Sequence, residues 1–149
     1  EKIKYHHEIV GCNSRLDSVQ AEILNIKLKY LDNYNSNRKI MANNYNLAFE
    51  KIKEIKTPKV NSNHVYHQYT TRILNGKRDE FKSYLNNLGI PTMIYYPIPI
   101  HKQKPYLTNQ ILNNTEILAN EVISFPIHTE LENSNQEYII QNIKDYFKN

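Results

Sequence analysis

Gly11-Cys12-Asn13-Ser14-Arg15-Leu16-Asp17 is the stretch on which the reading of the fold turns. Gly11 stops a short run of β-branched and aromatic residues at 5–10, which reads as extended chain. Ser14 and Asp17 have the spacing of a capping box, with Asp in place of Glu. Beyond them the apolar residues recur at helical spacing: Leu16, Val19, Ile23, Ile26 and Tyr30, then Met41, Tyr45, Ala48 and Ile52. The polar run Asp32-Asn33-Tyr34-Asn35-Ser36-Asn37 between them is either a kink or an exposed turn of helix. Residues 16–53 therefore read as one long helical arm, straight or bent, of the kind that lies across a second domain or subunit.

The rest of the chain alternates strands and helices. Pro58 marks a loop, and the β-rich alternation at 65–74 predicts a strand closed by the Asn75-Gly76 turn. Residues 78–88 put Phe81, Tyr84, Leu85 and Leu88 on one helical face, with Gly89 where a C-terminal cap belongs and Pro91 preventing continuation. A second strand at 92–96 completes a strand–helix–strand unit. Pro97, Pro99 and Pro105 exclude a regular helix or a central strand over 95–106, leaving a stiff, extended loop. A short helix at 115–121, a strand at 122–125 and a last helix at 135–147, with Ile139, Ile143 and Phe147 inward, close an α/β fold in which helix dominates.

Composition narrows the functional classes. A chain of 149 residues is expected to form one compact domain with its own core. Its only glycines, Gly11, Gly76 and Gly89, leave no G-x-G-x-x-G and no P-loop. The net charge of +4 is spread among acidic residues with no basic block, which argues against nucleic-acid binding. Cys12 is the single cysteine, so no disulfide forms within one copy, and a cytoplasmic location is expected. No apolar run approaches the roughly 18 residues of a membrane span, and no signal peptide opens the chain. Residues 1–8 read like the middle of a longer protein.

Three groups of residues merit a chemical reading. Asn13 and Arg15 stand just before the helix, where an amide and a guanidinium suit a phosphate; residue chemistry alone favours the plainer reading of a capped helix with a surface arginine. His64 and His67 would face opposite sides of a strand, as would His6 and His7, so no metal is expected there. Tyr95-Tyr96-Pro97-Ile98-Pro99-Ile100-His101-Lys102-Gln103 follows a strand end and offers aromatic faces, hydroxyls, an imidazole, an ammonium and an amide. Those groups suit a nucleotide sugar and equally suit a proline-stiffened structural loop. No Ser/His/Asp set, Cys–His pair or carboxylate dyad emerges, and no catalytic residue is assigned.

In order along the chain, Gly11-Cys-Asn-Ser-Arg-Leu-Asp-Ser-Val-Gln-Ala, the Arg38-x-x-x-Ala42-x-x-Tyr45 pattern, His64-Val-Tyr-His-Gln-Tyr, Gly89-Ile-Pro, Tyr95-Tyr-Pro-Ile-Pro-Ile-His-Lys-Gln and Val122-Ile-Ser-Phe-Pro-Ile-His resemble the DegT/DnrJ/StrS family of sugar aminotransferases. The resemblance implies the C-terminal part of a pyridoxal-phosphate (PLP) enzyme of the aspartate aminotransferase fold. Residues 1–15 would end the large-domain region, 16–53 form the interdomain arm and 54–149 the small α/β domain. It further implies a homodimer with shared active sites, a keto-sugar nucleotide as acceptor and glutamate as donor. By position, Asn13 matches the asparagine that reaches across the dimer to the PLP phosphate, and Arg15 a neighbouring residue that faces the cofactor or nucleotide-sugar phosphate from the same side. Tyr95 and Tyr96, with His101 and Gln103, match the loop bordering the sugar-nucleotide pocket. Cys12 stands where an aromatic is common and Glu22 where a second alanine is usual. No lysine has the sequence surroundings of the PLP-bearing one, so this chain is expected to be inactive alone. The competing expectation is a non-catalytic sugar-nucleotide or partner-binding module.

Overall fold

In the computed structural model, which describes residues 5, 8 and 10–148, every deeply buried side chain among the described residues lies beyond position 40. The first helix, α1 (Ser18–Leu28), buries nothing. The second, α2 (Leu31–Phe49), turns Met41, Ala42, Tyr45 and Phe49 inward from its C-terminal half. The single arm expected over 16–53 is thus two helices. The break falls at Lys29–Tyr30, where the Tyr30 N–H bonds three residues back to Lys27 O, and Tyr30 itself has φ −108° and ψ 3°. The polar run at 32–37 lies inside α2 as a largely exposed turn, a setting in which Asn and Ser side chains can face water rather than compete for the backbone.

The helix start also differs from expectation. Asp17, not Ser14, is the N-cap of α1: its carboxylate accepts the Gln20 N–H at 2.8 Å, and the Asp17 N–H donates back to Gln20 Oε1 at 3.4 Å. The reciprocal box is therefore Asp17–Gln20, three residues later than the Ser14–Asp17 spacing suggests, because Gln20 supplies the returning acceptor that completes it.

A three-stranded antiparallel sheet in the order β1 (Ile55–Lys56), β2 (Tyr69–Ile73), β3 (Val122–Phe125) forms the floor of the core. Tyr69 lies opposite Phe125 and Thr71 opposite Ile123, so β2 buries Tyr69, Thr71 and Ile73 on alternate positions. The strand expected at 65–74 begins only at Tyr69. Ahead of it Tyr66 takes a left-handed φ of 48° and donates its N–H to His64 Nδ1 at 2.8 Å, with the two rings stacked at 4.1 Å. His64 and His67 therefore sit in a turn rather than on opposite faces of a strand. The strand expected at 92–96 shrinks to one bridge, Met93 with Ser124; on one side the next bonding pair would be Pro91 opposite Pro126, and neither has an N–H to extend it. Tyr5 has φ 68° and is not extended; residues 6, 7 and 9, including both histidines, lie outside the described residues.

Helices cover the sheet. In α3 (Arg78–Asn87), Phe81 and Leu85 are fully buried. Gly89 at φ 71° ends it as expected, and the Ile90 N–H closes back on Leu85 O at 2.9 Å. Helix α4 (Asn113–Glu121) leads straight into β3, and the buried Arg78 fixes that corner by donating Nη1 to Ala119 O and Val122 O. Helix α5 (Asn133–Lys148) buries Ile139 and Ile143 and packs Phe147 against the same core. Its Gln136 locks it to α2 by donating to Met41 O at 2.9 Å and accepting from Asn44 Nδ2 at 3.0 Å.

The centre is aromatic. Tyr45, Phe49, Tyr69, Phe81 and Phe125 form successive ring contacts with centroids about 5–6.5 Å apart. The buried phenols are satisfied: Tyr45 donates to Pro126 O at 2.9 Å and Tyr69 to Asn46 Oδ1 at 2.7 Å. Burial pushes both hydroxyls well above the ordinary tyrosine pKa. No helix among the described residues is long and apolar enough to cross a membrane.

Candidate functional site

The proline-rich segment after Met93 is a wall rather than a free loop. Two single-turn 3-10 helices, Ile100–Lys102 and Lys104–Tyr106, follow Pro99 and Gln103, whose backbones are extended. Among the described residues, Gln103 and His101 tie the segment down. Gln103 is buried, and its amide nitrogen donates to Tyr5 O at 2.8 Å and to Ile98 O at 3.4 Å. His101 is also buried, and its Nε2 lies 3.1 Å from Glu116 Oε1 on α4. The same carboxylate accepts the Leu112 N–H at 3.3 Å and has Lys102 Nζ at 3.5 Å. The His101 hydrogen bond, then the Leu112 N–H and the Lys102 cation, hold the Glu116 carboxyl below its usual pKa.

Between this wall and the α4–β3 corner lies a cleft of about 860 Å³. Tyr95, Tyr96, Gln103 and Tyr106 line it from the loop side, Leu118, Ala119 and Val122 from the other, and Tyr5 joins them. The Tyr5 ring meets Tyr96 edge-on at 5.1 Å and Tyr95 at 5.9 Å. None of the described residues lining the cleft is charged. Its volume falls in the range of small-molecule pockets, and its chemistry is that of a ring-binding site with scattered hydroxyls and an amide.

Three of the residues singled out from sequence, Tyr95, Tyr96 and Gln103, thus come together at one cleft. His101 lies beside it, facing Glu116 and lining a shallower depression that shares Ile100, Tyr106 and Thr115 with the first. Asn13 and Arg15 do not line the cleft. They sit on the segment 10–17, exposed throughout, with Arg15 two residues before the α1 cap. An exposed amide and guanidinium are chemically fit to receive a phosphate. Among the described residues no three His, Cys, Asp or Glu side chains converge as a metal site.

Sequence reasoning missed Tyr5 and Glu116. Glu116 had a faint signal, an acidic residue in the first turn of a predicted helix. Tyr5 had none, because its partner Gln103 lies 98 residues away.

Residues 1–144 match the DegT/DnrJ/EryC1/StrS aminotransferase family. The chain is 38% identical, over 96% of its length, to the dTDP-3-amino-3,6-dideoxy-alpha-D-galactopyranose transaminase of Aneurinibacillus thermoaerophilus. It is 37% identical over 99% of its length to a pleiotropic regulatory protein of Geobacillus stearothermophilus. It spans only 40% and 41% of those two relatives. Among solved structures it superposes over its whole length on S. venezuelae DesV in complex with a ketimine intermediate, with TM-score 0.84, 32% identity and 41% of that chain covered. It superposes over 99% of its length on NtdA of Bacillus subtilis with bound cofactor PMP, with TM-score 0.83, 26% identity and 36% of that chain covered.

Proposed function

The chain belongs to the DegT/DnrJ/EryC1/StrS aminotransferase family, and from that premise we propose that it is the C-terminal part of a cytoplasmic PLP-dependent enzyme that moves an amino group from glutamate to a keto-sugar nucleotide. The observation that carries this reading is the uncharged, tyrosine-walled cleft formed by the proline-rich loop and the α4–β3 corner. Tyr95 and Tyr96 offer ring edges and hydroxyls to the sugar or base, Gln103 fixes the loop that presents them, and His101 supports that loop from behind. Asn13 and Arg15 donate to phosphate. Their exposure supports a role in a site completed by other parts of the protein, and a homodimer with shared sites supplies such parts.

In this reading residues 1–15 end the large-domain region, 16–53 bridge the domains and 54–149 form the small domain. PLP, when bound, supplies the electron sink for amino transfer. The present residues bind and orient around it; the lysine that holds it lies elsewhere in the protein.

In the full-length protein, Asn13→Ala is expected to weaken PLP retention by about 1.5–3 kcal/mol, the worth of a hydrogen bond to a charged group. Equilibrium dialysis checks this, and unchanged retention removes the role assigned to Asn13. The isolated chain, treated with PLP and borohydride, is expected to yield no stoichiometric lysine adduct. An adduct at a single lysine overturns the division of labour proposed here.

A further inference from the structure

The cleft depends on a loop that its own sequence does not hold in place. Pro97, Pro99 and Pro105 stiffen the backbone of 95–106 and donate no hydrogen bonds, and the backbone bonds within it, such as Lys102 N–H to Pro99 O and Tyr106 N–H to Gln103 O, are local; side chains tie it to residue 5 and to α4. One tie is Gln103 to Tyr5 O and Ile98 O, within the cleft itself. A second lies behind the wall and converges on one carboxylate. Glu116 gathers the imidazole of His101, the ammonium of Lys102 and the backbone N–H of Leu112. The first two belong to the 3-10 turn Ile100–Lys102, and the third belongs to the chain entering α4.

Glu116 thereby joins both walls of the cleft from outside. It does not line the cleft, whereas its neighbour Thr115 does, and so does Ile100 beside His101. His101 is buried, so removing its partner would leave an imidazole nitrogen unpaired behind the wall, a cost that favours movement of the turn.

We infer that Glu116 is a positioning residue for the sugar-nucleotide step: it holds the turn at His101–Lys102 against the start of α4, and so sets the separation of the walls that receive the sugar nucleotide. This rests on the reading of the cleft as the sugar-nucleotide site. The group acts through the loop, and it makes no demand on the amino-donor step.

The test uses the full-length enzyme and separates the two half-reactions. Glu116→Ala is expected to raise KM for the keto-sugar nucleotide about tenfold while kcat changes little. The spectral change of the bound cofactor on adding glutamate alone should keep its rate. Glu116→Gln keeps an acceptor for the Leu112 N–H while losing the charge, and its KM should fall between wild type and Glu116→Ala. Calorimetric titration of the sugar nucleotide should show the same order of weakening in Kd. A loss of equal size in both half-reactions, or an unchanged sugar-nucleotide KM and Kd in both variants, overturns the inference. Tyr96→Ala keeps the two readings apart. If it leaves sugar-nucleotide binding untouched, the cleft is not the sugar-nucleotide site and the reading itself fails. If it weakens binding and the Glu116 variants do not, only the positioning role fails.

Discussion

Helices α1 and α5 are both well supplied with apolar residues and use them in opposite ways. In α5, Ile139 and Ile143 point into the core and Phe147 packs on it, while Glu137, Gln141 and Lys148 face out. In α1, Val19, Ile23, Leu24, Ile26 and Leu28 are all exposed, and only Ala21 is partly covered. Those five residues fall into two groups: at 100° per residue Val19, Ile23 and Ile26 lie on one side, within about 60° of one another, and Leu24 and Leu28 lie near the opposite side. A one-sided helix needs one surface to pack on, whereas α1 carries apolar residues on two opposite sides, with Gln20, Glu22, Asn25 and Lys27 between them, and so offers apolar surface on both. The difference separates what this chain completes by itself, the sheet and the helices on it, from what it offers to structure beyond these residues.

The contrast can be broken most severely in the core. Phe81→Ala, at a fully buried ring beneath Phe125, Tyr146 and Phe147, should cost this chain about 3–5 kcal/mol in urea unfolding. Ile23→Ala in α1 should cost it under about 0.5 kcal/mol. A loss of several kcal/mol at Ile23 would mean that α1 is already packed, and the contrast would collapse.

Alkali tests the core by a second route. Tyr45 and Tyr69 have raised pKa values in the fold, because burial disfavours the phenolate. Their protonated form therefore contributes stability that is fully present below the unfolded tyrosine pKa of about 10 and is lost as pH rises towards the folded values. Each should contribute a loss of about 1.4 kcal/mol per pH unit above that point. Tyr45→Phe with Tyr69→Phe should flatten the slope; an unchanged slope would assign alkaline unfolding to other groups.

The smallest effect belongs to α1. Asp17→Ala removes the carboxylate that accepts the Gln20 N–H, the side-chain half that residue 17 supplies to the capping box, and should cost about 1 kcal/mol of local helix stability. It should appear as lost helical circular dichroism with no shift in the core's unfolding midpoint. A shift in that midpoint would show that α1 and the core fold as one unit.

What could be read from sequence was mostly local. Phe81, Leu85 and Gly89 announce α3 and its cap because spacing and a single left-handed residue suffice. The strand at 122–125 and the inward face of α5 were legible for the same reason. The prolines correctly denied regular structure to 95–106, but the two 3-10 turns within it depend on hydrogen bonds that no periodicity reports. The helix boundary was misplaced because Ser14–Asp17 and Asp17–Gln20 carry overlapping signals, and only the extended backbone at Asp17 selects one. Tyr66 hid a turn inside a run of good strand formers. Of the candidate site, the loop residues were legible as a cluster in sequence, whereas its contacts with Tyr5 and Glu116 join segments far apart in the chain.

The Gln103–Tyr5 tie also acts as a leash. It fastens residue 5 to the cleft, and Asn13 follows eight residues later. Fully extended chain covers at most about 3.3–3.6 Å per residue, so the Asn13 backbone can lie no farther than roughly 26–29 Å from Tyr5. While that tie holds, any phosphate gripped by Asn13 must therefore lie within this arc plus the length of one amide side chain. In the dimeric reading proposed above, that arc sets the greatest distance at which a neighbouring subunit's phosphate site can stand from this cleft.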